Sequence, residues 1–71
     1  MTTKAYELDY CYKFVVTETV NGIEYSFEYE FPKEIITGQT KTQYLQNCKA
    51  NSEGLAQFEI DKLNPPEEIQ L

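Results

Sequence analysis

Alternating apolar residues on both sides of one Asn-Gly pair constrain the fold more than any other feature of this sequence. The alternation runs at period two before Asn21-Gly22 and resumes directly after it. This pattern is typical of half-buried antiparallel strands, and Asn-Gly favours the type I′ turn, which needs positive φ at both central residues. The sequence therefore predicts a long antiparallel β-hairpin, with strands over residues 5–20 and 23–31.

A two-residue turn fixes the register of this hairpin, and the residue types allow that register to be checked. The apolar pairs are Val20 with Ile23, Val16 with Phe27, Phe14 with Tyr29 and Tyr12 with Phe31. On the other face the register places Lys13 opposite Glu30, which is a favourable cross-strand pair. Because a slip of one residue would mix the two sets, we expect one apolar face and one polar face.

The second half of the chain predicts a helix over residues 41–52. Thr40 and Gln43 match a capping box, in which each side chain accepts a hydrogen bond from the backbone N–H of the other residue. The apolar residues that follow at helical spacing are Tyr44, Leu45 and Cys48. Asn51 and Gly54 are typical of helix ends, so the helix is expected to end near residue 52 and to cover the apolar face of the hairpin.

Residues 55–61 allow two interpretations. Apolar and polar residues alternate from Ala56 to Ile60, which favours a third antiparallel strand. A continued helix would instead bring Leu55, Glu59 and Leu63 into line with Cys48, which makes a poorer apolar stripe. We favour the strand, so the predicted fold class is α+β with the order β-β-α-β.

Length and composition indicate one small folded domain. The chain has 71 residues, a formal net charge of −6 and 41% hydrophobic residues, which is too apolar for a disordered acidic chain. We assign residues 1–63 to a single α+β domain. The Pro-Pro pair at 65–66 stops the preceding element, and residues 64–71 are expected to form a flexible acidic tail.

The composition also excludes several classes of function. The sequence contains neither histidine nor arginine, so it lacks a Ser-His-Asp relay, an imidazole ligand for zinc and a bidentate phosphate clamp. A chain with 12 acids and 6 lysines lacks the basic surface that binds a nucleic-acid backbone directly. The sequence shows no membrane-spanning run and no apolar leader, so a cytoplasmic protein is expected.

Catalysis is not expected either. Glu28 and Glu30 could serve as acid and base in principle, but they sit two apart on one exposed strand face, where nothing desolvates one relative to the other. The sequence has no D-x-D-x-D-G calcium loop and no CxxC spacing. We therefore predict no catalytic residue, no cofactor and no metal.

Cys11 and Cys48 fall on opposite sides of the predicted sheet, so no disulfide between them is expected.

Most aromatic side chains fall on the apolar face of the predicted hairpin. They are Tyr6, Tyr10, Tyr12, Phe14, Tyr25, Phe27, Tyr29 and Phe31. A strand over residues 5–20 would be on the order of 50 Å long, whereas a helix of twelve residues covers roughly 18 Å. Either the sheet bends around the helix, with tyrosine hydroxyls reaching water at the rim of the core, or uncovered aromatic surface faces a partner.

The hairpin is also strongly acidic, since residues 5–31 hold six acids and one lysine. These carboxylates either keep a solvated sheet face soluble or attract a basic partner surface. Our leading hypothesis is a small, acidic, non-catalytic protein that binds or regulates a protein with a basic surface, without binding nucleic acid or membrane itself. The candidate contact residues are Tyr6, Tyr10, Tyr12 and Tyr29 for apolar contact, and Glu7, Asp9, Glu28 and Glu30 for charge.

Two alternatives remain open at the level of the sequence. An acidic inhibitor could mimic nucleic acid, as a phage anti-defence (anti-CRISPR-like) protein would, and DNA would then compete with it for the partner. A homodimer could instead pair hairpin edges or aromatic faces across a two-fold axis, because an open strand edge must be paired, covered or blunted.

Overall fold

In the part of the chain that the structure describes, three antiparallel strands are followed by one helix. The computed structural model describes residues 1–34, 38–63 and 69–70. The elements are β1 (Thr2–Glu7), β2 (Cys11–Val20), β3 (Ile23–Pro32) and α1 (Lys41–Leu63). The sheet has the order β1-β2-β3, and α1 packs against one of its faces, which leaves the other as an open face. The α+β class is confirmed; the proposed tail, residues 64–71, falls largely outside the described residues.

The β2–β3 hairpin has the predicted register. Val20 pairs with Ile23 at the turn, and the pairing continues in step to Cys11 opposite Pro32. The turn residues Asn21 and Gly22 have φ of 53° and 79°, as a two-residue type I′ turn requires. The helix-facing side of the hairpin therefore carries most of the apolar residues of both strands, whereas Val15 lies on the open face opposite Glu28.

The single strand predicted over residues 5–20 is wrong, because the chain reverses at Asp9-Tyr10. The Leu8 N–H donates to the Cys11 carbonyl over 2.8 Å, and β1 then pairs antiparallel with β2. Residues directly opposite each other in a sheet point to the same face. Tyr6 lies opposite Lys13, so it faces the open side of the sheet and not the helix.

The strand predicted over residues 55–61 is also wrong, because α1 continues through this segment to Leu63. The order of elements is therefore β-β-β-α and not β-β-α-β. The buried helix residues are Tyr44, Cys48, Ser52, Ala56 and Ile60. Rows of side chains at four-residue spacing are inclined to the helix axis by about 26°, and such a winding row suits the twisted surface of a sheet.

Neither Asn51 nor Gly54 ends the helix. Glycine inside a helix costs about 1 kcal/mol relative to alanine. The next turns of α1 bury Ala56 and Ile60 almost completely, and this burial stabilises the continued helix against that cost. The 23 residues of α1 span about 35 Å, which matches the length of roughly 33 Å for a ten-residue strand.

The start of α1 is fixed by the predicted capping box. The Thr40 N–H donates to Gln43 Oε1 over 3.0 Å, and the Gln43 N–H donates to Thr40 Oγ1 over 3.1 Å. At the next residue, the Tyr44 hydroxyl donates to the Pro32 carbonyl over 2.5 Å. The capping box is thus confirmed, and the tyrosine ties the first turn of the helix to the end of β3.

The core is narrow and lies under the central strand. Val16, Ser52 and Ala56 are fully buried, and such small side chains allow close approach of the helix to the sheet. The Ser52 hydroxyl donates to the Cys48 carbonyl over 2.8 Å, so the buried hydroxyl has a partner. The radius of gyration is 15.3 Å, compared with about 11 Å for a compact chain of this length. The principal extents of 52 × 25 × 15 Å show that the molecule is long and flat.

Candidate functional site

Within residues 1–34, 38–63 and 69–70, β3 pairs with β2 alone, so its outer edge is a free strand edge there. The two-residue turn is closed by the hydrogen bond from the Ile23 N–H to the Val20 carbonyl. Hydrogen-bonded and non-bonded pairs then alternate along the antiparallel ladder. The residues of β3 whose backbone N–H and C=O point away from β2 are therefore Glu24, Ser26, Glu28 and Glu30.

An aromatic row follows the helix-facing side of β3 and is only partly covered. It consists of Tyr25, Phe27, Tyr29 and Phe31, all of which are half-buried. Their cross-strand neighbours on β2 include Phe14 and Val16, which are buried. The helix thus covers the central strand more completely than the edge strand. At the turn end of the same row, Ile23 is 56% exposed.

An acidic row follows the open face of the same strand. It consists of Glu24, Glu28 and Glu30, all of which are exposed. Alternate side chains of a strand are about 6.7 Å apart, so the row extends over roughly 20 Å. Lys13 Nζ lies 3.3 Å from Glu28 Oε1. Among the described residues, Glu24 and Glu30 have no ammonium partner within 4 Å, so the row keeps most of its charge.

A further carboxylate lies on the helix beside the aromatic row. Burial raises the pKa of Tyr29, and the charge of Glu59 raises it further. Lys62 Nζ lies 3.6 Å from Glu59 Oε1, so the negative charge on this side of β3 is partly balanced.

The structure brings three of the eight candidate contact residues together on β3, and a fourth, Tyr6, lies across the open face in a groove that Glu28 also lines. Tyr29, Glu28 and Glu30 lie on β3, within three consecutive positions. Tyr12 is 7% exposed and belongs to the core cluster under the helix, so it offers no surface to a partner. Tyr10, which is 90% exposed, lies in the turn between β1 and β2.

Glu7 and Asp9 lie apart from the acidic row. Asp9 is exposed in the turn beside Tyr10. Glu7 lies at the end of β1 and accepts a hydrogen bond from Lys41 Nζ over 3.2 Å. This hydrogen bond, together with the charges of Lys33 and Lys41, holds the pKa of Glu7 below its ordinary value. Glu7 thus joins β1 to the first turn of the helix and does not add free charge to the β3 edge.

Two surface features were missed at the level of the sequence. A shallow groove of about 400 Å³ on the open face is lined by Tyr6, Leu8, Lys13, Val15 and Glu28. It was missed because the reversal at Asp9-Tyr10 moves Tyr6 and Leu8 to this face; the only local signal was an aspartate, which is common in turns.

The second missed feature lies on the solvent side of α1. Leu55 and Phe58 are exposed there, with Phe58 at 61%, and Lys62 Nζ lies 4.4 Å from the centre of the Phe58 ring. A strand over residues 55–61 would have placed Phe58 and Ile60 on one face. In the helix they lie on different sides, so that only Ile60 is buried.

Comparison with known proteins gives no relative. The chain matches no family model, no curated protein and no solved structure. Within the described ranges, no group of three Cys, Asp or Glu side chains is arranged to hold a metal ion. The described part of the chain also contains no helix of the length and apolarity needed to cross a membrane. The site is thus defined by its geometry alone, as an acidic and aromatic edge strand.

Proposed function

We propose that this chain is a small, non-catalytic protein-binding module that docks the β3 edge on a protein with a basic surface. The observation that supports this proposal is the presence of an aromatic row and an acidic row along one free edge. The aromatic row lies on one side of β3 and the acidic row on the other. Each of the two rows would contact a different part of the same partner.

The two rows make different contributions to such an interaction. Large aromatic side chains dominate interface energetics because each can bury about 150–250 Å², and those of β3 are only half-buried in the free chain. Exposed carboxylates contribute mainly through steering and orientation, and they raise the association rate at low ionic strength. The partner is therefore expected to bind through apolar contact and to be oriented by charge.

The alternative of a nucleic-acid mimic is less well supported by the charge density. Duplex DNA carries one negative charge per about 1.7 Å of axis, or roughly 12 charges over 20 Å. The acidic row has three carboxylates over a similar length, and Lys13 pairs with one of them. This density fits a basic patch on a protein better than a groove built for a nucleic-acid backbone. If the mimic alternative were correct, duplex DNA would compete for the partner and displace this chain from it.

The proposal is tested by comparing two triple variants of equal charge. The partner is first captured on the immobilised wild-type chain and purified, and its affinity is then measured by titration calorimetry. Substituting the acidic row (E24Q, E28Q, E30Q) is expected to weaken binding at least tenfold at low salt. The control (E34Q, E53Q, D61N) makes the same change of charge outside β3 and is expected to retain the affinity within twofold. Equal losses in both variants would show that net charge, and not the β3 edge, controls binding.

A further inference from the structure

We infer that the free edge of β3 binds its partner by strand addition, and that the added strand alternates basic and apolar residues. The inference deepens the proposed function and rests on it, since it concerns the same edge. It adds the chemistry of the partner segment and the main-chain bonds that hold it.

The backbone of β3 is suited to accept another strand. Four consecutive alternate residues, from Glu24 to Glu30, direct their N–H and C=O groups away from β2. These groups repeat at the spacing of a regular antiparallel or parallel ladder. The strand has ten residues, which is long for an uncovered edge, and natural edges are usually short, covered, paired or blunted by charge.

The two faces of β3 determine what the added strand must present. Directly opposite side chains in a sheet point to the same face, so every second residue of the added strand would lie beside the acidic row. The residues between them would lie beside the aromatic row. Lysine or arginine is therefore favoured at the positions beside the acidic row, and an apolar residue at the positions beside the aromatic row. Main-chain hydrogen bonds supply affinity that is independent of sequence.

A second copy of this chain is a poor candidate for the added strand. In a dimer, the β3 strands of two copies would pair antiparallel about a two-fold axis. If this axis is centred on any residue from 26 to 29, glutamates of the two copies lie opposite each other. An axis at Phe27 places Glu24 opposite Glu30, and an axis at Glu28 places this residue opposite itself. Like charges directly opposite are destabilising. The other free edge, β1, has six residues and one cation, Lys4, so it does not supply the alternation either.

The inference is tested first with synthetic peptides. A fluorescein-labelled nine-residue peptide that alternates lysine with valine or phenylalanine is titrated with the full chain, and binding is followed by anisotropy. A second peptide has the same composition, with its lysines grouped at one end. The alternating peptide is expected to bind at least tenfold more tightly. Equal affinity would overturn the inference, because composition alone would then account for binding.

The main-chain bonds are tested with two proline variants. Ser26 directs its N–H to the free edge of β3, and Ala5 holds the equivalent position on the free edge of β1. Proline at an edge position removes an outward donor and is tolerated there. S26P is expected to weaken binding of the alternating peptide at least tenfold, and A5P to retain it within twofold. Circular dichroism verifies that both variants are folded.

A peptide that is N-methylated at the positions facing β3 gives a second measurement, independent of the folding of S26P. It is expected to bind at least tenfold more weakly than the unmodified peptide. If S26P and the methylated peptide bind normally while the acidic-row triple variant still loses the captured partner, strand addition is overturned and the proposed function stands. If the triple variant also keeps the partner, both fail. A dimer of the free chain that S26P abolishes would identify a second copy as the added strand and overturn the inference.

Discussion

Single residues in this protein act according to the side of the sheet on which they lie. Tyr6 and Tyr12 share sequence parity, yet one lies on the open face and the other in the core. The turn at Asp9-Tyr10 separates them. After this reversal the odd-numbered residues of β1 and the even-numbered residues of β2 lie on the helix-facing side of the sheet. The role of a residue therefore depends on where the chain reverses.

Glu7 provides a prediction about pH at this scale. Its pKa is lowered chiefly by the hydrogen bond from Lys41, so the folded state binds this proton less readily than the unfolded chain does. The contribution to stability is therefore present above the ordinary glutamate pKa and is lost as pH falls through the lowered value. In a carboxyl-detected NMR titration, K41M is expected to return the pKa of Glu7 towards the ordinary range.

The matched control for this titration is K49M, which removes an exposed lysine elsewhere on the same helix. It should leave the titration of Glu7 unchanged. If both variants shift the pKa of Glu7 equally, the general field of the lysines is responsible and not the contact with Lys41.

At the scale of elements, glycine is favourable in the hairpin turn and unfavourable inside the long helix. Gly22 has a φ of 79°, where a side chain costs about 1–2 kcal/mol. Gly54 lies within α1 with open space around it. We expect G22A to lower the free energy of unfolding by about 1–2 kcal/mol and G54A to raise it by about 1 kcal/mol.

Urea denaturation followed by circular dichroism measures both changes. The opposite signs are the critical result, because both variants add the same methyl group. A destabilising G54A would indicate that the helix is interrupted near this residue, as the stop signals in the sequence suggested.

The narrow contact between α1 and β2 supplies a second prediction for the elements. Ala56 is fully buried against the sheet, whereas Ala50 is exposed on the same helix. Leucine and alanine have similar helix propensities, so packing dominates the difference. A56L is expected to destabilise the fold by about 1–3 kcal/mol, and A50L to change it by less than about 0.5 kcal/mol. Thermal unfolding of the two variants side by side checks this; equal stabilities would contradict close packing at Ala56.

At the scale of the whole molecule, the acidic row has a second expected effect, which is to keep the chain from pairing with itself. The edge of β3 combines unpaired backbone groups with half-buried aromatic rings, and this combination favours association. Charge repulsion between glutamates opposes it. The wild-type chain is therefore expected to have a mass near 8.3 kDa in light scattering at micromolar concentrations.

Removing the charge of the acidic row should allow the chain to associate with itself. The variant E24Q, E28Q, E30Q is expected to shift towards dimers or larger species as its concentration rises, while the control E34Q, E53Q, D61N stays monomeric. Added salt should move the wild type in the same direction as the triple variant, because it screens exposed charges. A wild-type chain that is already dimeric at low salt would contradict the protective role of the acidic row.

Local rules in the sequence were sufficient for several parts of this structure. The register of β2 and β3 follows from Asn21-Gly22 and from alternation at period two, and the helix start follows from Thr40 and Gln43. Each depends on residues that are adjacent or directly opposite across a tight turn, so the physical cause lies within a few positions of the chain. The acidic row of β3 was predictable for the same reason.

Only the tertiary structure decided the remaining features. The reversal at Asp9-Tyr10 lacks a glycine signal, and the alternation continues through it without a break. The continuation of α1 past Gly54 depends on burial of Ala56 and Ile60 against strands that are distant in sequence. The partial cover of the aromatic row likewise follows from the position of the helix over β2. Sequence determined which side of β3 each residue faces, whereas packing between distant segments determined which of those residues stay exposed.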